Sequence, residues 1–305
     1  MQDLHDLPKL RDSLSYLYVE HAILDRKDSA IEAVQKEGRT MIPIAALCVL
    51  MLGPGTSITH AAVKVLAENG CLVLWTGEEA THFYAQGLGE TRKSYHLLRQ
   101  AELACDHEKR AEVVLRMYRK RFQEPIDPSL DLVQLRGMEG VRVREAYAHA
   151  SREWGVPWSG RRWDIGNWNK GDVINRALSA ANALLNSVCH SAIVSGGYSP
   201  ALGFIHTGRM LSFVYDIADL YKTEMTIPAA FQATAEAPHQ AERQARTLCR
   251  EKFRETRLLE RILPDIDDLL GIEEDADTRE GDLGLSPAEA LWEGLYENQE
   301  EEEGR

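Results

Sequence analysis

Three residues in one short stretch have types and spacing suited to chemistry. The stretch GFIHTGRMLSFVYDIADLYK, residues 203–222, sets His206, Asp216 and Asp219 in a segment that otherwise reads as core. In a helix Asp216 and Asp219 lie three positions apart, on one face. Ionised carboxylates in apolar surroundings need a cation, hydrogen bonds or a metal, and a same-face pair raises its own pKa values until positive charge arrives. Oxygen ligands with one imidazole suit Mn²⁺ or Mg²⁺ better than zinc or calcium. Such a site needs a third carboxylate, and Glu139 in LRGMEGVRVREAYAHA is a candidate. Each residue also has an ordinary explanation. Asp216 or Asp219 pairs with Arg209, Lys222 or another base, or both face solvent. His206 packs after a turn, and Glu139 sits favourably near a helix N-terminus.

These residues need elements to position them. Residues 13 to 90 alternate in a β manner, with runs such as SLSYLYVEH, CLVLWTG and THFYAQG between glycine-containing turns. The apolar run from Ile42 to Leu52 reads as one buried strand and is too short to span a bilayer. Between strands lies GPGTSITHAAVKVLAENG, where Thr59 is placed to cap a helix from His60 to Asn69 and Gly70 to end it. Gly53 and Gly55 fit the start of a dinucleotide fingerprint, but Ile58 stands where the third glycine belongs, so a turn and a packing helix is the better reading.

From about Thr91 the period changes to that of a helix. Helical spacing runs to Phe122, and QEPIDPSLDL breaks it. A helix follows around residues 138 to 154, then an aromatic loop VPWSGRRWDIGNWNKG, then a helix from about Asp172 to Val194. Helices resume from Ala229 to about Leu270, with Pro228, Pro238 and Pro264 as breaks. The expected architecture is α+β: a small N-terminal β domain over residues 1–90, a larger all-α domain over 91–272, and an acidic tail over 273–305 with a docking element around Leu291, Trp292 and Leu295.

Composition bounds the function. The chain has 305 residues, 44% hydrophobic and 27% charged, as in globular proteins. Five dispersed cysteines without a C-x-x-C pair, in a chain that opens without a secretory pattern, point to reduced thiols in the cytoplasm and against a cysteine zinc site. The net charge of −13 is uneven: residues 265 to 305 carry 16 acids against 2 arginines, and the other 264 residues hold 32 acids and 33 bases. A neutral body binds nucleic acid wherever its bases cluster. Candidate phosphate contacts are Arg116, Arg119, Lys120 and Arg121, Arg161 and Arg162, and Arg250, Lys252, Arg254 and Arg257.

LRGMEG, GRRWDIGNWNKGD and GFIHTGRMLSFVYDIAD resemble the motifs of the CRISPR adaptation integrase, the metal-dependent Cas-one family, in its type I-E form. The resemblance runs from about Ser13 to about Leu270. It implies an N-terminal β-sandwich and a helical C-terminal domain, with Glu139, His206 and Asp219 as ligands of Mg²⁺ or Mn²⁺ and Asp216 as a further acidic residue of the catalytic group. It implies that Arg209 and Tyr215 help recognise the end of incoming DNA, with Lys222, Arg161 and Arg162 on the DNA side. His21 stands at the duplex-fork position, where an aromatic tyrosine is known, while His82 and Ser57 stand where bases occur. These departures put the strength of backbone clamping in question.

The activity implied is capture of short double-stranded DNA and joining of its 3′-OH ends into the CRISPR repeat array by transesterification. The implied assembly is a homodimer bridged by the small ferredoxin-like Cas-two partner. The residues agree: the DNA supplies the nucleophile, and no ATP-binding loop is present. The alternative is a non-catalytic DNA-binding scaffold with a structural acidic cluster.

Overall fold

The computed structural model describes residues 16–28, 30–36, 38–44, 47, 49–78, 83–87, 94–122, 127, 129–161 and 172–272. Packing divides the chain into two units, residues 1–270 and 271–305. The expected tail and its docking element, His82 and Arg162 lie outside the described residues.

The N-terminal region contains strands β1 (Tyr16–Val19), β2 (Ile23–Lys27), β3 (Ala30–Gln35), β4 (Gly38–Ile42), β5 (Val49–Leu52) and β6 (Ser57–Ile58), helix α1 (His60–Glu68), and strands β7 (Leu72–Thr76) and β8 (Phe83–Gly87). They form two four-stranded sheets, ordered β1-β5-β7-β8 and β4-β3-β2-β6. Leu50, Leu52 and Val73 of the first sheet share one core with Leu24, Ile31 and Ile42 of the second and with Ala62, Val65 and Leu66 of α1. The expected N-terminal β region is thus present, within one unit that also holds the helices.

The apolar run from Ile42 to Leu52 is not one strand. Ile42 ends β4 in one sheet and Val49 begins β5 in the other. Pro43 has no N–H for a ladder, so the chain leaves the second sheet there. Helix α1 is as expected: Thr59 Oγ1 accepts from Ala62 N at 3.2 Å, and Gly70 follows in the left-handed conformation with φ 64°.

The helical region contains α2 (Tyr95–Cys105), α3 (His107–Lys120), α4 (Leu132–Trp154), α5 (Val173–Ser195), α6 (Ser212–Tyr221), α7 (Thr226–Glu236), α8 (Ala241–Glu255) and α9 (Leu258–Leu270). Asp106 splits the first helical stretch, since its carboxylate caps α3 through Glu108 N and Lys109 N. Helix α4 starts earlier than expected, because Asp131 and Gln134 form a reciprocal capping box ahead of the glycines. Glu139 therefore sits inside the helix, away from its N-terminus, and the helix-end explanation for it fails.

Pro264 does not break its helix; it lies within α9, whose apolar face of Leu258, Ile262, Ile266 and Leu269 is buried. Pro228 likewise lies within α7. Helix α5 is the hub, packing against α6, α7, α8 and α9. It is long and apolar enough to cross a membrane, yet 78% of that window is buried in the protein. Three of the four described cysteines, Cys71, Cys189 and Cys249, are buried and all four are free thiols.

Candidate catalytic and metal site

Helix α6 carries both aspartates, and its apolar residues Phe213, Val214, Ile217 and Ala218 fix it in the core. Asp216 is completely buried. It is compensated by donors rather than by a base. Its Oδ2 accepts from the N–H groups of Phe204 at 2.6 Å and Ile205 at 3.1 Å. Its Oδ1 accepts from the His206 N–H at 2.9 Å and from His206 Nδ1 at 2.7 Å. One carboxylate thus folds the 204–206 turn and orients the imidazole. With Nδ1 donating to Asp216, Nε2 is left as the outward acceptor. The hydrogen bond to Asp216 raises the His206 pKa, opposed by its partial burial.

The loop before α6 is held from behind. Gln100 Nε2 donates to the carbonyls of Ser199 at 3.0 Å and Leu202 at 2.9 Å, and its Oε1 accepts from Ser199 N at 2.7 Å. Arg110 donates to Phe204 O through Nε at 2.9 Å and Nη2 at 2.7 Å. Gly203 permits the close turn, since a Cβ there would stand 2.3 Å from His206 O and 2.8 Å from Ser212 C. Gln100 and Arg110 hold the loop that presents His206, and the sequence does not single them out. A glutamine and an arginine on amphipathic helices give no local sign that they clamp a loop a hundred residues away.

Asp219 and Glu139 meet across α6 and α4 through cations. Glu139, nearly buried, holds Arg142 in a two-pronged pair, with Nε donating to Oε2 at 2.8 Å and Nη2 to Oε1 at 3.0 Å. Arg142 Nη1 also donates to Thr223 Oγ1 at 2.8 Å. Asp219 Oδ1 accepts from Lys222 Nζ at 2.5 Å, as one ordinary explanation expected. Between the two carboxylates lies the buried guanidinium of Arg121, with Nη1 3.5 Å from Glu139 Oε1 and Nη2 3.7 Å from Asp219 Oδ2. His206 lies within electrostatic range of Asp219 and Lys222.

Among the described residues, no three His, Cys, Asp or Glu side chains gather closely enough to form a metal-holding group. The chemistry of the donors nevertheless fits a hard divalent ion. His206 offers Nε2 from a ring fixed by a carboxylate, the usual support for a metal-ligating histidine. Glu139 and Asp219 offer oxygens that face one common cation.

The remaining expected residues are dispersed. Tyr215 is half-buried and meets the His206 ring edge-on, with centroids 5.9 Å apart. Arg209 is exposed on the same loop. Arg161 is braced on α5, donating to Asn175 O at 2.9 Å and Ser179 Oγ at 3.0 Å. Tyr147 is within electrostatic range of Arg161 and Asp219, and burial pushes its pKa up. Its ring stacks on Trp158 at 4.5 Å. His21 is exposed at the turn between β1 and β2, with φ 51°.

Several expected phosphate contacts serve the fold. Arg116 Nε donates to Leu269 O at 2.7 Å, and Lys120 pairs with Asp265 at 3.0 Å and Asp268 at 2.7 Å. These bonds brace α3 against α9, with Asp265 and Asp268 as the acidic partners on α9. Arg121 is buried and faces the acidic pair.

The sequence profile of the family described as CRISPR associated protein Cas1 matches residues 15–127 and 117–256. The chain is 55% identical over 284 residues to a CRISPR-associated endonuclease Cas1 of Thermus thermophilus, covering 92% of this chain and 87% of that protein. It is 45% identical over 262 residues to one of Geobacter sulfurreducens, covering 86% of each. A solved TtCas1–DNA complex superposes with a TM-score of 0.76 at 56% identity, covering 87% of this chain and 99% of that one. With profile, relatives and fold in agreement over most of its length, the chain belongs to the Cas1 family.

Proposed function

We propose that this chain is a divalent-metal-dependent DNA endonuclease and integrase of CRISPR adaptation. It captures short duplexes and joins their 3′-OH ends into the repeat array, acting in the cytoplasm. The observation that carries the reading is the Asp216–His206 pair, which turns Nε2 outward on a ring within electrostatic range of Asp219, whose carboxylate shares the Arg121 guanidinium with Glu139. Glu139, His206 and Asp219 would hold Mg²⁺ or Mn²⁺, and the ion would polarise the scissile phosphodiester and stabilise charge on its oxygens.

In the reaction the 3′-hydroxyl oxygen of the captured duplex forms a bond to phosphorus as the repeat strand's P–O3′ bond breaks. One phosphodiester replaces another, so no ATP is consumed. The proton lost by the attacking hydroxyl is balanced by one gained at the departing 3′-oxygen. Asp216 acts as a positioning residue, fixing the ring and backbone of His206. Tyr215 and Arg209 flank His206 and would face the DNA end, while Lys222 and the Arg161–Arg162 region would meet phosphates. His21 would stack on the terminal base pair at the fork. By the same reading, residues 1–90 form the dimer and DNA platform and residues 91–272 the catalytic domain. The working assembly is a homodimer joined by a small ferredoxin-like partner.

The test is strand transfer of a labelled 3′-OH duplex into supercoiled repeat DNA, with the partner present, in Mn²⁺ or EDTA. Joining by the wild type in Mn²⁺ alone, and none by Asp219→Ala with duplex binding retained, is expected. A fully active Asp219→Ala protein sinks the reading. One observation favours a second reading, a non-catalytic DNA-binding scaffold: Glu139 and Asp219 are already paired with Arg142 and Lys222, as a structural cluster would be. That protein would bind duplex and no Mn²⁺.

A further inference from the structure

Two carboxylates, Glu139 and Asp219, face three fixed cations within 3.7 Å: Arg121, Arg142 and Lys222. Asp216 adds no spare charge, because its oxygens are spent on three N–H groups and His206. The pair proposed to ligate a dication is therefore more than neutralised before any ion arrives. A dication entering between the carboxylates meets the Arg121 guanidinium at short range.

Arg121 is a poor structural salt bridge. Its side chain is 6% exposed, so it is out of reach of solvent and DNA. Its contacts to Glu139 and Asp219, at 3.5 and 3.7 Å, are ion pairs without a good hydrogen bond, and its buried Nε and Nη2 have no hydrogen-bond partner. Unmade hydrogen bonds on a buried charge are costly. A guanidinium placed only for stability would be expected to use them. The other two cations differ: Arg142 and Lys222 are 25% and 31% exposed, within reach of solvent.

We infer that Arg121, Arg142 and Lys222 are resident counter-cations that keep the Glu139–Asp219 pair closed in the DNA-free protein and make divalent-ion binding depend on a bound DNA phosphodiester. Phosphate draws Lys222 and Arg142 off the carboxylates and supplies the negative charge that a dication beside Arg121 requires. Ion and DNA then bind with positive coupling, and by linkage each strengthens the other by one factor. This rests on the reading of Glu139, His206 and Asp219 as a metal site.

The experiment measures Mn²⁺ affinity by electron paramagnetic resonance, with and without a non-cleavable duplex, and duplex affinity with and without Mn²⁺. It compares wild type, Arg121→Met and Lys222→Met. Mn²⁺ should bind the wild type at least tenfold more tightly with duplex, with a matching gain in duplex affinity. Both variants should bind Mn²⁺ more tightly than wild type without DNA and show reduced coupling. Lys222→Met, at a half-exposed position, carries the comparison if the buried Arg121→Met fails to fold. Equal Mn²⁺ affinity with and without duplex, unchanged in the variants, overturns the inference but leaves the metal-dependent function standing. No Mn²⁺ bound under either condition overturns both.

Discussion

Asp216 Oδ1 accepts from both the backbone N–H and the ring Nδ1 of His206, at 2.9 and 2.7 Å. A single buried oxygen therefore sets the position of the residue and the direction of its imidazole. Asp216→Asn keeps the volume but turns one acceptor into an NH₂ group facing donors. Strand transfer should fall 10- to 100-fold, roughly the cost of losing the partner behind a metal-ligating histidine. Stability should fall by about 1–3 kcal/mol for the unmet buried donors. Paired joining assays and urea denaturation read both, and the His206 ring resonances should report a loosened tautomer.

Gly203→Ala should be among the most damaging single-methyl additions. The new Cβ would lie 2.3 Å from His206 O and 2.7 Å from Ser212 Cβ. Backbone on one side and the start of α6 on the other leave little room to yield. A loss of roughly 1–3 kcal/mol, typical of overpacking, is expected in denaturant titrations. Joining should fall further than stability explains, because the turn presenting His206 shifts with it.

His190, on α5, is 3% exposed, and burial pushes its pKa down to about 4 from the usual 6.5. Between those values the unfolded chain binds a proton that the folded protein does not. Its contribution is therefore complete above about pH 6.5 and is lost as the pH falls towards 4. The loss over that window is on the order of 3 kcal/mol. Denaturation of the wild type and His190→Leu from pH 7 to pH 4 isolates it, since the carboxylates titrate alike in both. The variant should lose less stability on acidification.

The features legible in the sequence are those whose signals are local. Thr59 and Asp172 stand directly before the helices they cap, and both do so through side-chain oxygens. His206, Asp216 and Asp219 share one stretch, so residue type and spacing alone raise the question of a site. Glu139 is harder to place, because Gly137 and Gly140 look like a helix beginning while the capping box at Asp131 and Gln134 lies upstream. Arg121 reads as a phosphate contact in the sequence, since its basic neighbours Arg116, Arg119 and Lys120 suggest a charged face. Its burial between residues of α4 and α6 is a product of packing that no local pattern encodes. The Ile42–Leu52 run misleads for a similar reason: apolar character is common to both sheets, and only Pro43 hints at the change of layer.

Salt dependence separates an arginine or lysine that meets a DNA phosphate from one that braces the fold. Arg209 is exposed on the loop beside His206, and its backbone N–H donates to Ser212 Oγ at 3.1 Å, leaving the guanidinium to face outward. Lys120 spends its charge on Asp265 and Asp268. Removing one cation that neutralises a phosphate should reduce the slope of log K against log salt by about 0.9 on duplex DNA. Arg209→Ala should therefore weaken duplex binding and flatten that slope by about 0.9. Lys120→Gln should leave affinity and slope unchanged and cost about 1 kcal/mol or less, since its ion pairs are partly exposed. Fluorescence anisotropy across a salt series makes both measurements. An unchanged slope for Arg209→Ala would remove this residue from the DNA surface, and a flattened slope for Lys120→Gln would mean that the α3–α9 brace opens when DNA binds.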